Sequence, residues 1–147
     1  MAELNYSDKV KEHYFNPKNV GKIDDASGIA EVGNEQCGDI MRIYIQIDKN
    51  PEGKEFIEDI KFLTYGCAAA IASSSVMTEI VKGKTLEEML GKGKTKAERI
   101  RTLKKELIDS LDGLPPQKIH CSVLASDGLY NAIDDYITHI TQTEVKP

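Results

Sequence analysis

Between Met41 and Asp48 apolar and polar side chains alternate without a break, with Met41, Ile43, Ile45 and Ile47 set against Arg42, Tyr44, Gln46 and Asp48. A period of two marks a strand with one buried face. Lys49-Asn-Pro-Glu-Gly-Lys54 follows as turn chemistry. Ile57 to Tyr65 then reads as a second strand, with Ile60 and Phe62 on one face and Lys61 on the other. The middle of the chain is therefore committed to an antiparallel hairpin.

The flanking segments read as helices. Ser7 is placed to cap a short helix that carries Val10 and Tyr14 and stops at Asn16-Pro17. Residues 18–34 read as loop, with a short strand at Gly28–Val32. Ala68 to Lys82 has no alternation and many small side chains, which predicts a helix ended by Gly83 that packs close to a neighbour. Thr85-Leu-Glu-Glu88 is a capping box. Gly91-Lys-Gly-Lys-Thr95 lacks the glycine spacing and preceding strand of a phosphate loop and reads as a solvated loop. Lys96 to Leu111 carries a buried stripe at Ile100, Leu103, Leu107 and Leu111. Asp112-Gly113 and Pro115-Pro116 stop it. A last helix is expected from about Ser122 to Ile140, with Leu129, Ile133, Ile137 and Ile140 as its core stripe, and a frayed tail over 141–147.

No repeat or linker divides the 147 residues, which fit a single domain over 1–147. With 40% apolar and 29% charged residues the chain is globular rather than disordered. A net charge of −5 speaks against a nucleic-acid partner. No apolar run is long enough to span a bilayer. Met1-Ala-Glu-Leu-Asn-Tyr6 has neither a secretory nor a transit pattern, so a prokaryotic cytoplasmic location is expected.

The chemistry of the chain lies in Cys37, Cys67 and Cys121. An odd count in a reducing compartment is no disulfide framework. A hairpin centred on residues 49–54 sets Cys37 opposite Gly66, beside Cys67. Asp39 is two residues after Cys37 and so shares its face if the strand has begun. Gly38 and Gly66 allow a bound group to come close to the backbone. Cys67 and Cys121 each precede a predicted helix, whose free N–H groups stabilise a thiolate. His120 adds an imidazole.

On these residues alone two readings stand. One gathers three thiolates, a carboxylate and an imidazole around a single metal centre. The other has two cysteines buried at strand ends and an ordinary His-Cys pair in a loop. No CxxC pair is present, so the spacing is not that of a closed zinc finger or a ferredoxin. His13 and His139 are expected as surface groups, and Asp24-Asp25 and Asp134-Asp135 as neighbours that face different ways. A cysteine-nucleophile enzyme built on His120 and Cys121 lacks an orienting residue and an oxyanion loop.

The motifs are Tyr6-Ser-Asp-Lys-Val-Lys-Glu-His-Tyr-Phe-Asn-Pro17 with Asn19-Val-Gly21, Cys37-Gly-Asp39, Tyr65-Gly-Cys-Ala-Ala-Ala-Ile-Ala-Ser-Ser-Ser75, Val81-Lys-Gly-Lys-Thr85 and Leu114-Pro-Pro-Gln-Lys-Ile-His-Cys-Ser122. Through nearly its whole length the chain resembles the iron–sulfur cluster assembly scaffolds of the IscU and NifU N-terminal family.

The resemblance implies an α+β domain in which a three-stranded antiparallel sheet packs against about five helices. It implies assembly of a [2Fe–2S] cluster, or a [4Fe–4S] cluster in a homodimer, and transfer to apo iron–sulfur proteins by a carrier that is not a conventional enzyme. Sulfur would arrive as persulfide from a cysteine desulfurase of IscS or NifS type, and iron and electrons from other donors. Cys37, Cys67 and Cys121 would be the thiolate ligands, Asp39 and His120 the alternative fourth ligands, and Cys121 the first persulfide acceptor. Zn²⁺ would compete for the same set.

Three departures are visible. Ala68-Ala69 stands where the family often has Gly-Ser. Gln117 replaces the valine of the segment that an Hsp70-type chaperone reads in many members. The stretch 91–110 is longer than usual and resembles the SufU branch, the alternative being a zinc-dependent sulfur-transfer protein; that branch usually lacks the histidine present here as His120.

Overall fold

The computed structural model describes residues 6–34, 39–91 and 94–145. Among them the order is α1 (Asp8–Phe15), β1 (Gly28–Asn34), β2 (Asp39–Lys49), β3 (Glu55–Tyr65), α2 (Ala68–Val81), α3 (Leu86–Leu90), α4 (Lys96–Ser110), a 3-10 turn (Pro116–Lys118) and α5 (Ile119–Val145). The sheet is antiparallel in the order β1-β2-β3. The expected α+β class and three-stranded sheet are therefore found.

The alternation in β2 follows a period of two, except that Tyr44, on the face expected to be open, is also buried. Met41, Ile43 and Ile45 are buried and pack with Ile57, Ile60 and Phe62 of β3. Against this face lie Ala72, Val76, Met77 and Val81 of α2 and Leu129 and Ile133 of α5, and Leu103 and Leu107 of α4 join the same core from the side of α2 and α5. Four caps sharpen the helix starts. Ser7, Thr85 and Thr95 accept hydrogen bonds from the amides of Val10, Glu88 and Glu98, and Cys67 occupies the N-cap position of α2. After α4 the chain reverses through Asp112 and Gly113, both left-handed at φ 57° and 94°.

The hairpin register runs two positions beyond the expected one. Ile40 pairs with Tyr65, and Lys49 with Glu55. Part of the shift comes from a bulge. Gln46 pairs with Asp59 and Ile47 with Ile57, which leaves Glu58 without a partner. The open end of the hairpin nevertheless sets Asp39 at the same edge as Gly66 and Cys67.

Four further expectations need correction. Residues Ile119 to Cys121 are already helical, because the 3-10 turn runs straight into α5. The last helix does not end near Ile140, since α5 continues to Val145. Ile137 is exposed, whereas Tyr136 packs against the core, and the Ile140 side chain lies outside the described residues. His13 is not a surface group: its Nδ1 is 2.7 Å from Ser75 Oγ and its Nε2 is 3.5 Å from the Glu79 carboxylate. A polar residue on a short helix reads as outward-facing, but the serines of α2 give the interior a polar surface for it to meet.

Two glycines set the spacing between sheet and α5. A Cβ on Gly28 would come within 2.3 Å of the Ala132 carbonyl oxygen, and one on Gly128 within 3.1 Å of Ile43 Cγ1. No helix among the described residues is long and apolar enough to cross a membrane.

Candidate metal centre

The small residues of α2 let its first turn lie against the start of α5. Ala69 and Ala70 are fully buried and enclose Cys121, with Tyr6, Leu114 and Cys67 packed around them. Cys67 is half-buried and Cys121 fully buried. Their sulfurs are 3.6 Å apart. His120 Nε2 is 3.5 Å from Cys121 Sγ. The structure thus brings Cys67 to the adjacent pair His120 and Cys121 of α5, across 54 residues of sequence between the two cysteines.

Cys37 and the Asp39 side chain lie outside the described residues. The backbone of Asp39 pairs with Asn34 at the start of β2. Among the described residues no three His, Cys, Asp or Glu side chains are grouped to hold a metal ion. The donors present, two thiols and an imidazole, are of the kind that zinc and iron–sulfur centres take.

Cys67 is poised as a thiolate, its pKa drawn down to about 5. The Cys121 S–H is the largest cause, and burial opposes it. The amides of Ala70 and Ala69 at the start of α2 and the Lys118 ammonium also favour the anion. Cys67 makes no strict capping hydrogen bond, so these amides act mainly as oriented dipoles. In return the Cys67 anion raises the pKa of Lys118. Tyr6 is raised by burial first and by Cys67 next. Its phenol therefore stays protonated beside the thiol pair.

Sequence reasoning gave no role to Lys118 or Tyr6, although both lie within the quoted motifs. Their signal was positional: Lys118 sits one turn before Cys121, and Tyr6 immediately precedes the cap of α1. His139 is exposed as expected and lies against its own helix at Asp135. Asp134 pairs with Lys96 while Asp135 accepts from the Ile29 amide, so the two do face different ways.

Labelling of metal-free protein with iodoacetamide, read by peptide mass, should show Cys67 titrating near pH 5. Lys118→Met should move that midpoint upward. A midpoint at the value of a free thiol, roughly 8.5, would contradict the geometry. The sign for stability follows. A thiol with a depressed folded-state pKa lends stability above its unfolded pKa and loses it as pH falls toward the folded one. The metal-free protein should thus weaken from roughly pH 8.5 down to about 5, with a flatter profile in Cys67→Ala.

The sequence matches the family described as NifU-like N terminal domain over residues 5–143. It is 53% identical over 131 residues to the iron–sulfur cluster assembly scaffold protein IscU 1 of Archaeoglobus fulgidus, a match covering 89% of this chain and 76% of that one. It is 49% identical over 134 residues to the protein of the same description from Azotobacter vinelandii, covering 89% and 93% of the two chains. Among solved structures it is similar, at a TM-score of 0.61 and 28% identity, to a protein from Fervidobacterium islandicum described as a putative iron–sulfur cluster assembly scaffold for the SUF system, with 87% of this chain and 96% of that one covered.

Proposed function

Since the chain belongs to the NifU-like N-terminal domain family, we propose that it works as an IscU-type scaffold on which iron–sulfur clusters are assembled and from which they are handed on. It is a carrier and not a conventional catalyst. The single observation that carries this reading on the structure is the thiol pair, Cys67 and Cys121, with sulfurs 3.6 Å apart and His120 alongside. Relatives at 53% and 49% identity that are described as iron–sulfur cluster assembly scaffolds support a cluster scaffold over a zinc-dependent sulfur-transfer protein.

In this reading the cargo is a [2Fe–2S] cluster held by Cys37, Cys67 and Cys121, with Asp39 or His120 as the fourth ligand. Cys121 takes the first persulfide from a cysteine desulfurase. Iron and electron donors complete the build, and apo iron–sulfur proteins receive the product. Zn²⁺ substitutes in the same set. The chain folds as one domain over 1–147.

A scaffold must release what it binds. Four thiolates suit retention, whereas a carboxylate or a protonatable imidazole in the fourth place makes the site exchangeable. Asp39→Ala should therefore hold its cluster longer during transfer to an apo-acceptor. Transfer as fast as in wild type would remove Asp39 from this role. The function as a whole is tested by anaerobic reconstitution with iron, cysteine and a desulfurase. The expected result is a visible cluster spectrum and a loaded apo-acceptor. A colourless protein with one tightly bound zinc and no transfer would overturn it.

A further inference from the structure

A sulfur atom delivered as persulfide is at the wrong oxidation level for a cluster. It must gain two electrons to become sulfide. The structure places a source of those electrons against the acceptor. Cys67 Sγ stands 3.6 Å from Cys121 Sγ, close to van der Waals contact for two sulfurs. Each is fixed by a helix start, Cys67 at the N-cap of α2 and Cys121 in the first turn of α5. Cys121 is wholly buried among Ala69, Ala70, Leu114 and Tyr6, so a group carried on it faces Cys67 ahead of any thiol in solution.

We propose that Cys67 is the resolving thiol for a persulfide on Cys121, displacing its outer sulfur as hydrosulfide and forming a Cys67–Cys121 disulfide. The inference rests on the reading that Cys121 receives the persulfide. The atoms and electrons balance. Cys67 Sγ bonds to Cys121 Sγ, and the bond from Cys121 Sγ to the outer sulfur breaks. The electron pair leaves with the outer sulfur, which keeps the persulfide's proton and is reduced from sulfane to sulfide. The two cysteine sulfurs are oxidised together to the disulfide. A dithiol reductant returns them to thiols before they hold iron.

Two features favour this step over simple sulfur migration to Cys67. Attack on the outer sulfur would only move the persulfide, whereas the 3.6 Å separation is to the inner sulfur. Thiol–disulfide exchange also speeds up sharply when both sulfurs are held at contact distance.

The test uses metal-free, full-length protein loaded anaerobically with inorganic polysulfide and then freed of excess reagent, with no reductant present. Released sulfide is trapped with a bimane, and the cysteine peptides are mapped by mass. Wild type is expected to release one sulfide per sulfur loaded and to yield a linked Cys67–Cys121 peptide. Cys67→Ser is expected to retain the extra sulfur on Cys121 and to release none. Persistence of the sulfur on Cys121 in wild type would overturn the inference while sparing the reading beneath it. A persulfide found on Cys67, or a link that contains Cys37, would do the same. Sulfur that never appears on Cys121 in either protein would overturn both. The linked peptide is read in wild type, so the test survives a variant that folds poorly.

Discussion

Replacing Gly28 by alanine should lower the stability of the protein by about 2–3 kcal/mol, as overpacking against backbone does. In a chain of this length that corresponds to a loss of roughly 5–10 °C in Tm. Gly28 begins β1 and pairs with Ile45 in the middle of β2. The new methyl would stand 2.3 Å from the Ala132 carbonyl oxygen and 3.1 Å from Tyr136 Cβ. Both belong to the helix backbone or its first side-chain atom, so neither can swing aside. Relief requires α5 to lift off β1 or β1 to leave its register. Gly128→Ala is the matched control. Its methyl would meet Ile43 Cγ1 at 3.1 Å and Val32 Cγ2 at 3.2 Å, which are side-chain atoms that can shift by tenths of an ångström. It should cost about 1 kcal/mol. Urea unfolding of both variants checks the pair, and equal losses would show that the close approach at Gly28 is relieved at no cost.

Cys121→Ala should abolish stable cluster loading while leaving the fold in place. Cys121 is fully buried among apolar neighbours, where alanine removes only one heavy atom. Serine would be the poorer substitute, since its hydroxyl needs a partner in the same apolar setting. Losing this thiol takes away a proposed ligand and also the S–H that does most to hold Cys67 as an anion. The expected result is an unchanged far-ultraviolet circular dichroism spectrum and a loss of more than about tenfold in reconstituted cluster, on the scale of a removed ligand or its support. Retention of a wild-type visible spectrum would exclude Cys121 from the ligand set.

The parts of the fold legible in the sequence are those where one physical signal acts alone. The alternation in β2 had no competitor, and the caps at Ser7 and Thr85 appeared where side-chain chemistry put them. Tertiary structure decided the rest. The bulge at Glu58 is invisible to a hairpin count, because nothing in Ile57-Glu58-Asp59 marks an extra residue. His13 looked like an outward residue until the serine-lined surface of α2 supplied its partners. Ile137 satisfied the helical stripe yet is exposed, because helix periodicity does not fix how deeply each position of a stripe is covered. For the site, the hairpin count set Cys37 beside Cys67, a pairing that lies outside the described residues, and only the family resemblance joined Cys121 and His120 to them. Both signals were silent on Lys118 and Tyr6, whose part is to set charge and cover rather than to donate a ligand.

The meeting of α2 and α5 at the thiol pair has a consequence for how the site tolerates change. Each helix start carries roughly half a positive charge, contributed by peptide groups. Cys67 at the N-cap of α2 and Cys121 in the first turn of α5 set any anionic load between two such ends. That share of the charge balance belongs to the main chain and no point substitution can delete it. Lys118 adds a side-chain charge to that share, whereas at Ala68 and Ala69 only size remains as a constraint. Drift in the residues around the cysteines can then proceed without loss of the capacity to hold negative charge, so long as both helices keep their starting points.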